Sequence, residues 1–264
     1  MINYIDVGAH IGEVIDLVVK FLDGLDAEYM VYAFEPYPPA FNLLKDRLGK
    51  KNYALYNKAC SDYEGRGNIY MSSSRGGHSL KKTKHNINLS RFNVVDVIKF
   101  STWFVNNIKP ADFNIVKINI EGSEYEVYED IIKSGLVKDI DVFCGSLGDL
   151  HKIGKPAHEA EAFAKHLKDS GIEVVELSVT RLDALKVIED AMKAPKTKEV
   201  TKEVEEEITV GPEPESWFEP AVVESPPEVV QPKKEKRTVP TPKKKKAGRP
   251  AGSKNKATKN VAKN

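Results

Sequence analysis

Cysteine and long apolar runs are both scarce in this chain. Its 264 residues include two cysteines, Cys60 and Cys144, each in an apolar neighbourhood. Two such cysteines make neither a disulfide framework nor the paired spacing of a metal site, so we expect a reducing environment and no bound metal. No apolar run approaches the ~18 residues that cross a bilayer, and the first residues carry no basic leader typical of a secretory signal. The sequence therefore predicts a soluble, cytoplasmic protein without membrane contact.

Net charge is also small, because 40 Lys and Arg oppose 39 Asp and Glu, which leaves +1. The balance conceals two oppositely charged stretches near the end of the chain. Residues 199–228 are acidic and interrupted by prolines, whereas residues 237–264 contain lysine and arginine but no acid. Neither stretch has enough apolar residues to compensate for the entropy of ordering a chain. We therefore predict a folded domain over residues 1–194 and a disordered tail over residues 195–264, first acidic and Pro-rich and then Lys-rich.

Up to residue 194, short apolar runs alternate with amphipathic stretches. The apolar runs are typical of strands buried on both faces, and they predict core strands at Tyr4–Val7, Met30–Glu35, Ala54–Lys58, Ile115–Ile120, Ile140–Cys144 and Glu173–Leu177. Helices are predicted where apolar residues recur every three to four positions, as in Tyr125–Ile132, Ala157–Leu167 and Leu182–Ile188. This alternation predicts an α/β fold with a mostly parallel sheet and helices on both faces.

The alternation is interrupted between the third and fourth core strands. Two further strand-like runs, Gly67–Ser72 and Phe92–Ile98, flank a polar loop at Arg75–Ser79. They predict a hairpin or edge strands added to the main sheet, with a loop whose course the pattern does not define.

A glycine turn follows the first strand, where the chain reads Gly8-Ala9-His10-Ile11-Gly12. Gly8 allows a sharp turn, and Gly12 allows a ligand to approach the N-terminus of the next helix, whose N–H groups attract an anion. For S-adenosylmethionine this anion is the carboxylate, while Asp6 at the strand end accepts hydrogen bonds from the ammonium group, directly or through water.

Glu35 ends the next strand, where a carboxylate can accept hydrogen bonds from both ribose hydroxyls. Together with Asp6 it predicts a nucleoside site. The simpler alternative is that Asp6 caps a helix and Glu35 is a solvated strand end. A nicotinamide dinucleotide fits less well, because its fingerprint is G-x-G-x-x-G and the spacing here is Gly8-x-x-x-Gly12.

Four motifs resemble, in order, those of FkbM-type methyltransferases: Asp6–Gly12 (DVGAHIG), Phe34–Pro38 (FEPYP), Ala59–Asp62 (ACSD) and Val116–Glu124 (VKINIEGSE). The resemblance extends to about residue 180. It implies a Rossmann-like class I methyltransferase fold, S-adenosylmethionine as cofactor, and methyl transfer to a hydroxyl of a sugar, glycan or other small molecule. It also implies that the cofactor is held by Asp6, Gly8, Ala9, Gly12 and Glu35, with Asp62 near the adenine.

The segment after the fourth core strand supplies the catalytic candidates Asn119, Glu121 and Glu124. Methyl transfer is an in-line displacement that depends mainly on positioning, and Glu121 is the best candidate for a catalytic or acceptor-orienting carboxylate. Asn119 stands where the family usually has aspartate, and an amide can orient a hydroxyl but cannot take its proton. His78 is a further candidate that could reach the acceptor site from above, or else is simply solvated. We expect Lys117 at a sheet edge without a chemical role.

A second departure from the family follows the fifth core strand. Where the family often shows an acid together with a histidine, this chain has Asp149 and His151. The two residues are candidates to take the place of that pair.

The basic end of the tail, residues 243–256, resembles an AT-hook with the core Gly248-Arg249-Pro250. Such a core lies in the narrow minor groove of A·T-rich DNA, where Arg249 would insert while flanking lysines neutralise phosphates. Ala247 replaces a second arginine, so we expect weak DNA binding, or binding to polyanions in general.

Two functional hypotheses remain. The first is an active O-methyltransferase. The second is a catalytically impaired, methyltransferase-like binding protein that its tail tethers to nucleic acid.

Overall fold

The computed structural model describes residues 1–25, 27–48, 52–73, 76–180 and 183–194. Within these ranges the chain forms nine strands and six α-helices. The strands are β1 (Ile2–Val7), β2 (Tyr29–Phe34), β3 (Tyr53–Tyr56), β4 (Ala59–Ser61), β5 (Gly65–Ser72), β6 (Ile87–Lys99), β7 (Phe113–Ile118), β8 (Val142–Gly145) and β9 (Val174–Glu176). The helices are α1 (Glu13–Asp23), α2 (Pro38–Leu48), α3 (Phe100–Asn107), α4 (Glu124–Lys133), α5 (Ala157–Asp169) and α6 (Asp183–Lys193).

No helix in the described ranges combines the length and the apolar character that a membrane span requires. The tail predicted over residues 195–264, with its AT-hook-like segment, lies outside the described residues. The domain boundary and the disorder of the tail therefore stay predictions.

Six strands form one parallel sheet in the order β3-β2-β1-β7-β8-β9. The chain first builds outward from β1 to β3 and then resumes on the other side of β1 with β7, so the strand order reverses between β1 and β7. In open sheets of this kind, ligands bind outside the carboxyl ends of the strands at that reversal. The predicted Rossmann-like, mostly parallel sheet is confirmed.

Helices cover both faces of this sheet, as predicted. Consecutive strand residues point to opposite faces: Tyr4 packs in the cluster that contains residues of α1, α2 and α6, and Ile5 in the cluster that contains residues of α3, α4 and α5. Along α1, the buried residues Ile15, Val18 and Leu22 recur at the three-to-four-residue spacing of a helix face. The double burial explains why the central strands are mostly apolar, with the few buried polar residues paired to one another.

The strand β7 ends at Ile118, two positions before the predicted end. The apolar pattern continues to Ile120, but the N–H of Ile120 donates to the Glu124 carboxylate at 2.8 Å and not to a neighbouring strand. Glu121 then takes a left-handed conformation with φ 62°. Asn119 and Ile120 consequently belong to a turn at the edge of the sheet, where a ligand could contact them.

A second sheet has the order β4-β6-β5. Its antiparallel β5–β6 pair confirms the predicted hairpin, and β6 begins earlier than expected because pairing resumes after a register shift between Tyr70 and Met71. The strand β4 was not predicted, because three residues are too few to show a period. The connection between β5 and β6 returns through Ser79, which pairs with Tyr70.

A buried ion pair joins β1 to β7 where the strand order reverses. Asp6 and Lys117 are register partners on these two strands, and Lys117 Nζ donates to Asp6 Oδ1 and to the Gly8 carbonyl, each at 2.8 Å. The Tyr4 hydroxyl donates to Asp6 Oδ2 at 3.1 Å. Burial and the nearby Asp6 raise the pKa of Tyr4 well above its usual range, so it remains a donor. This corrects the expected position of Lys117: its amine is enclosed between strands and requires these partners.

We predict that Lys117→Met lowers the free energy of unfolding by about 3–5 kcal/mol, because it leaves the Asp6 carboxylate buried without its cation. Urea unfolding at pH 7 measures the change. Lys133→Met is the control, because Lys133 is 74% exposed in its ion pair with Glu129 and should change stability by less than about 1 kcal/mol. Equal, small effects of the two substitutions would contradict a structural role for the buried pair.

Candidate functional site

A cavity opens at the carboxyl ends of β1, β2 and β7, where the strand order reverses. Its volume of about 240 Å³ lies near the lower limit of the roughly 300–1,000 Å³ typical of small-molecule pockets. The strand ends contribute Val7, Gly8, Phe34, Glu35, Asn119 and Glu121, and the β5–β6 connection contributes Gly76, His78 and Leu80. The size suits a nucleoside-based ligand better than a dinucleotide.

Glu35 lies on the cavity wall at the end of β2, as predicted for a residue that binds ribose. Its Oε1 accepts the N–H of Tyr37 at 2.8 Å and its Oε2 accepts the N–H of His10 at 2.9 Å. Burial raises its pKa to about 7, although these two hydrogen bonds act in the opposite direction. A carboxylate has about four acceptor positions, so two remain for a ligand.

Gly8 also lies on the cavity wall, and its position excludes any larger residue. Its φ is 92°, and an added Cβ would lie 2.0 Å from the Asn119 carbonyl oxygen. The turns after β1 and β7 are therefore in direct backbone contact. This contact brings the glycine turn and the Asn119 turn into one site, which sequence spacing alone did not reveal.

Gly12 and Ala9 are not among the residues that line the cavity, so their contact with the cofactor stays a prediction. An added Cβ on Gly12 would lie 2.8 Å from Leu44 Cδ1, so this glycine allows α1 and α2 to pack closely. Ala9 is buried in the same apolar cluster. The second glycine of the motif thus has a packing role, because α2 and not a ligand occupies the space beside it.

Asp6 and Asp62 are also absent from the cavity wall. Asp6 is fully buried, and its two oxygens are bonded to Tyr4 and Lys117. Asp62 is exposed beyond the end of β4, whereas Cys60 of the same motif does line the cavity. We therefore correct the expectations of a direct Asp6 contact with an ammonium group and of Asp62 beside an adenine.

Glu124 positions the turn after β7 and does not face the cavity. It is fully buried, and its carboxylate accepts the N–H groups of Ile120 at 2.8 Å and Gly122 at 2.7 Å. This corrects its assignment as a catalytic candidate. The two donors belong to the turn between β7 and α4, so the Glu124 carboxyl group fixes the backbone of that turn.

Glu121 lies on the cavity wall, as predicted, in the left-handed conformation already described. Its Oε2 accepts a hydrogen bond from Lys84 Nζ, which also donates to the Gly77 carbonyl at 2.9 Å. The Lys84 side chain is completely buried. Lys84 therefore links the β5–β6 connection to the turn after β7. The sequence provided no signal for this role, because Lys84 is one of three lysines in a short polar stretch.

His78 contributes a donor to the cavity. Its Nδ1 accepts the N–H of Ser72 at 3.0 Å, and its ring meets the Tyr37 ring edge-on at 4.3 Å between centroids. Burial, and then the nearby His10 and Lys84, lower its pKa. The ring is thus neutral at pH 7, and since Nδ1 is an acceptor, the proton is on Nε2. His78 in this state donates a hydrogen bond and does not act as a base.

His10 is a cavity residue that the sequence analysis missed, because its position between the two motif glycines carries no signal of its own. It has an unusual φ of 51° for a side chain of its size. The β5–β6 connection lies close to the His10 ring, since an added Cβ on Gly76 would be 3.3 Å from His10 Nε2. Non-glycine residues with such backbone conformations are concentrated at functional sites.

Of the remaining candidate pair, His151 is not among the residues that line the cavity. His151 is exposed on a short 3-10 helix, and the side chain of Asp149 lies outside the described part of the chain. Over the described residues, no three His, Cys, Asp or Glu side chains are grouped as metal ligands.

Comparison with known proteins identifies one family. A sequence model described as "Methyltransferase FkbM domain" matches residues 6–144, a little over half of the chain. A solved structure, that of the methyltransferase FkbM from Methylobacillus flagellatus KT, is 16% identical with a TM-score of 0.34, and the match covers 50% of this chain and 29% of that chain. No curated protein matches. The family match includes every cavity residue named above.

We predict that Glu35 makes the protein less stable as pH rises. Its folded-state pKa of about 7 exceeds the ordinary 4.5, so its contribution to stability is fully present below pH 4.5 and is lost as pH rises through 7. The loss is on the order of 3 kcal/mol. Glu35→Gln should remove this pH dependence, whereas Glu64→Gln, at an exposed position, should retain it. Urea unfolding between pH 4.5 and 8 gives the slopes. The same slope in all three proteins would rule out the raised pKa.

Proposed function

We propose, since this chain belongs to the FkbM methyltransferase family, that it transfers a methyl group from S-adenosylmethionine to a hydroxyl group of a sugar, glycan or other small molecule. The observation that carries the proposal is the position of Glu35, whose carboxylate ends β2 inside a nucleoside-sized cavity at the strand-order reversal. A carboxylate in this position is suited to bind the two hydroxyls of a ribose.

The cavity residues fit this cofactor in three respects. Glu35 retains acceptor positions for the ribose, and the apolar side chains of Phe34, Cys60, Ile69 and Leu80 line the wall as an adenine ring requires. The Asn119 Oδ1 atom is buried without a hydrogen-bond partner among the described residues, so it is available to a ligand donor. When bound, the cofactor would supply a methyl group attached to a sulfonium centre. The leaving group in the transfer would be the neutral thioether.

The protein contributes mainly by holding the acceptor and excluding water. The β5–β6 connection covers the cavity through Gly76, His78 and Leu80, and Lys84 attaches it to Glu121. Glu121 Oε1, the carboxylate oxygen that Lys84 does not hold, accepts a hydrogen bond from the acceptor hydroxyl and takes its proton as the new bond to oxygen forms. His78 Nε2 donates a hydrogen bond that orients the acceptor. Rate enhancement then depends on near-attack geometry more than on base strength.

We predict that Glu35→Ala weakens binding of S-adenosylhomocysteine, the demethylated product, roughly 10- to 100-fold, because it removes hydrogen bonds from a charged acceptor. Isothermal titration calorimetry measures the affinities. Glu64→Ala is the control, since Glu64 is exposed and distant from the cavity wall. Equal affinities of the Glu35→Ala and unsubstituted proteins would remove the ribose assignment.

For the tail, which lies outside the described residues, we propose weak binding to DNA or other polyanions. The proposal is supported by the lysines that surround Gly248-Arg249-Pro250. Neutralised phosphates release counterions, so affinity should fall steeply as salt rises.

We predict that the full chain binds an A·T-rich duplex at low salt and that a chain truncated after residue 236 does not. Fluorescence anisotropy at several salt concentrations measures this, with Arg249→Ala expected to reduce the preference for A·T over G·C duplexes. Salt-dependent binding that persists in the truncated chain would exclude the tail as the binding element.

A further inference from the structure

Asn119 lines the cavity, and its side-chain oxygen Oδ1 is buried without a hydrogen-bond partner among the described residues, as is the Ser123 hydroxyl. The backbone of Asn119 is fixed on both sides. Its N–H donates to the Val7 carbonyl at 3.0 Å, and its own carbonyl lies against Gly8. A buried polar atom without a partner is costly, so this oxygen is suited to accept a hydrogen bond from a bound ligand.

The neighbouring acceptors at the end of β1 are already bonded to a cation. Lys117 Nζ holds both Asp6 Oδ1 and the Gly8 carbonyl, and Tyr4 holds Asp6 Oδ2. Asp6 is also fully buried and is not among the residues that line the cavity, so a ligand cation at this end of the cavity does not reach its carboxylate, and the Gly8 carbonyl already accepts a hydrogen bond from Lys117. Asn119 Oδ1 remains available to it.

The strand order indicates which part of an adenosyl amino acid lies beside Asn119. Lys58 and Cys60, which follow β3, line one part of the cavity, Glu35 follows β2, and Asn119 follows β7. Parallel strands lie about 4.8 Å apart, so Glu35 and Asn119 follow strands separated by about 10 Å. A ligand whose ribose is bound at Glu35 can thus extend its amino-acid part past β1 towards Asn119.

We propose that Asn119 Oδ1, and not Asp6, accepts a hydrogen bond from the α-ammonium group of S-adenosylmethionine. The inference rests on the proposed function. A hydrogen bond between a charged donor and an amide oxygen is roughly twice as strong as one between neutral groups. Asn119 is then a cofactor-binding residue, and its amide does not limit the chemistry, because proton removal belongs to Glu121.

Two analogues of S-adenosylhomocysteine separate the ammonium from the rest of the ligand. The first, 5′-deoxy-5′-(3-aminopropylthio)adenosine, has the ammonium but no carboxylate. The second, 5′-deoxy-5′-(3-carboxypropylthio)adenosine, has the carboxylate but no ammonium. Affinities for both analogues and for S-adenosylhomocysteine are measured by calorimetry on the full chain and on Asn119→Leu, Asn119→Asp and Ser123→Ala.

We expect Asn119→Leu to weaken binding of S-adenosylhomocysteine and of the aminopropyl compound roughly 10- to 100-fold and to leave the carboxypropyl compound nearly unchanged. Asn119→Asp keeps an acceptor oxygen and should restore the lost affinity. Ser123→Ala is the matched control, because Ser123 Oγ is also buried, lines the cavity and lacks a partner among the described residues. It should affect the three ligands equally.

Three results would overturn the proposal. An equal loss for all three ligands in Asn119→Leu would indicate a damaged site, and no loss for any of them would show that Asn119 does not bind the ammonium group. Selective loss of the ammonium-containing ligands in Ser123→Ala would transfer the role to Ser123. If the unsubstituted protein binds none of the three adenosyl compounds, the proposed function itself fails, and this outcome is distinct from the others.

Discussion

The buried ion pair between Asp6 and Lys117 determines the geometry of the whole cavity. The pair joins β1 to β7 where the strand order reverses, and the same amine holds the Gly8 carbonyl. Two charges in an apolar sheet interior must remain paired, because separating them would leave one charge desolvated without compensation. The register of β1 and β7 is therefore strongly specified. That register sets the Gly8 turn directly against Asn119, so the two turns form one wall.

A second buried lysine holds the part of the cavity wall that the β5–β6 connection forms. Lys84 donates hydrogen bonds both to the β5–β6 connection and to Glu121. The Glu124 carboxylate accepts two backbone N–H groups of the turn that contains Glu121. Backbone conformations that are unfavourable for side chains occur here, at His10 and Glu121. The surrounding hydrogen bonds compensate for this strain, which is typical of sites where side chains must be aimed at a ligand. Rigid support of this kind suits a reaction that depends on alignment.

Much of the fold and part of the site could be predicted from the sequence. The core strands were recognisable because strands buried on both faces are mostly apolar, and Gly8 and Glu35 lie on the cavity wall because each immediately follows a strand. The other assignments depended on distant neighbours. Gly12 packs close to Leu44 of α2, and the Glu124 carboxylate accepts backbone N–H groups of its own turn. Neither partner can be identified from local spacing.

Local physical chemistry was sufficient for the strands, the glycine turn and the acid after β2, because each depends on residues a few positions away. The partners of the charged groups were decided only by the tertiary structure. Lys117 and Asp6 are 111 positions apart in the chain, and only sheet register brings them together. Because that contact encloses Asp6 between the strands, we assign the ligand ammonium to Asn119 and not to Asp6. Residue type defines what a side chain can bind, whereas packing decides which side chains are still available to bind it.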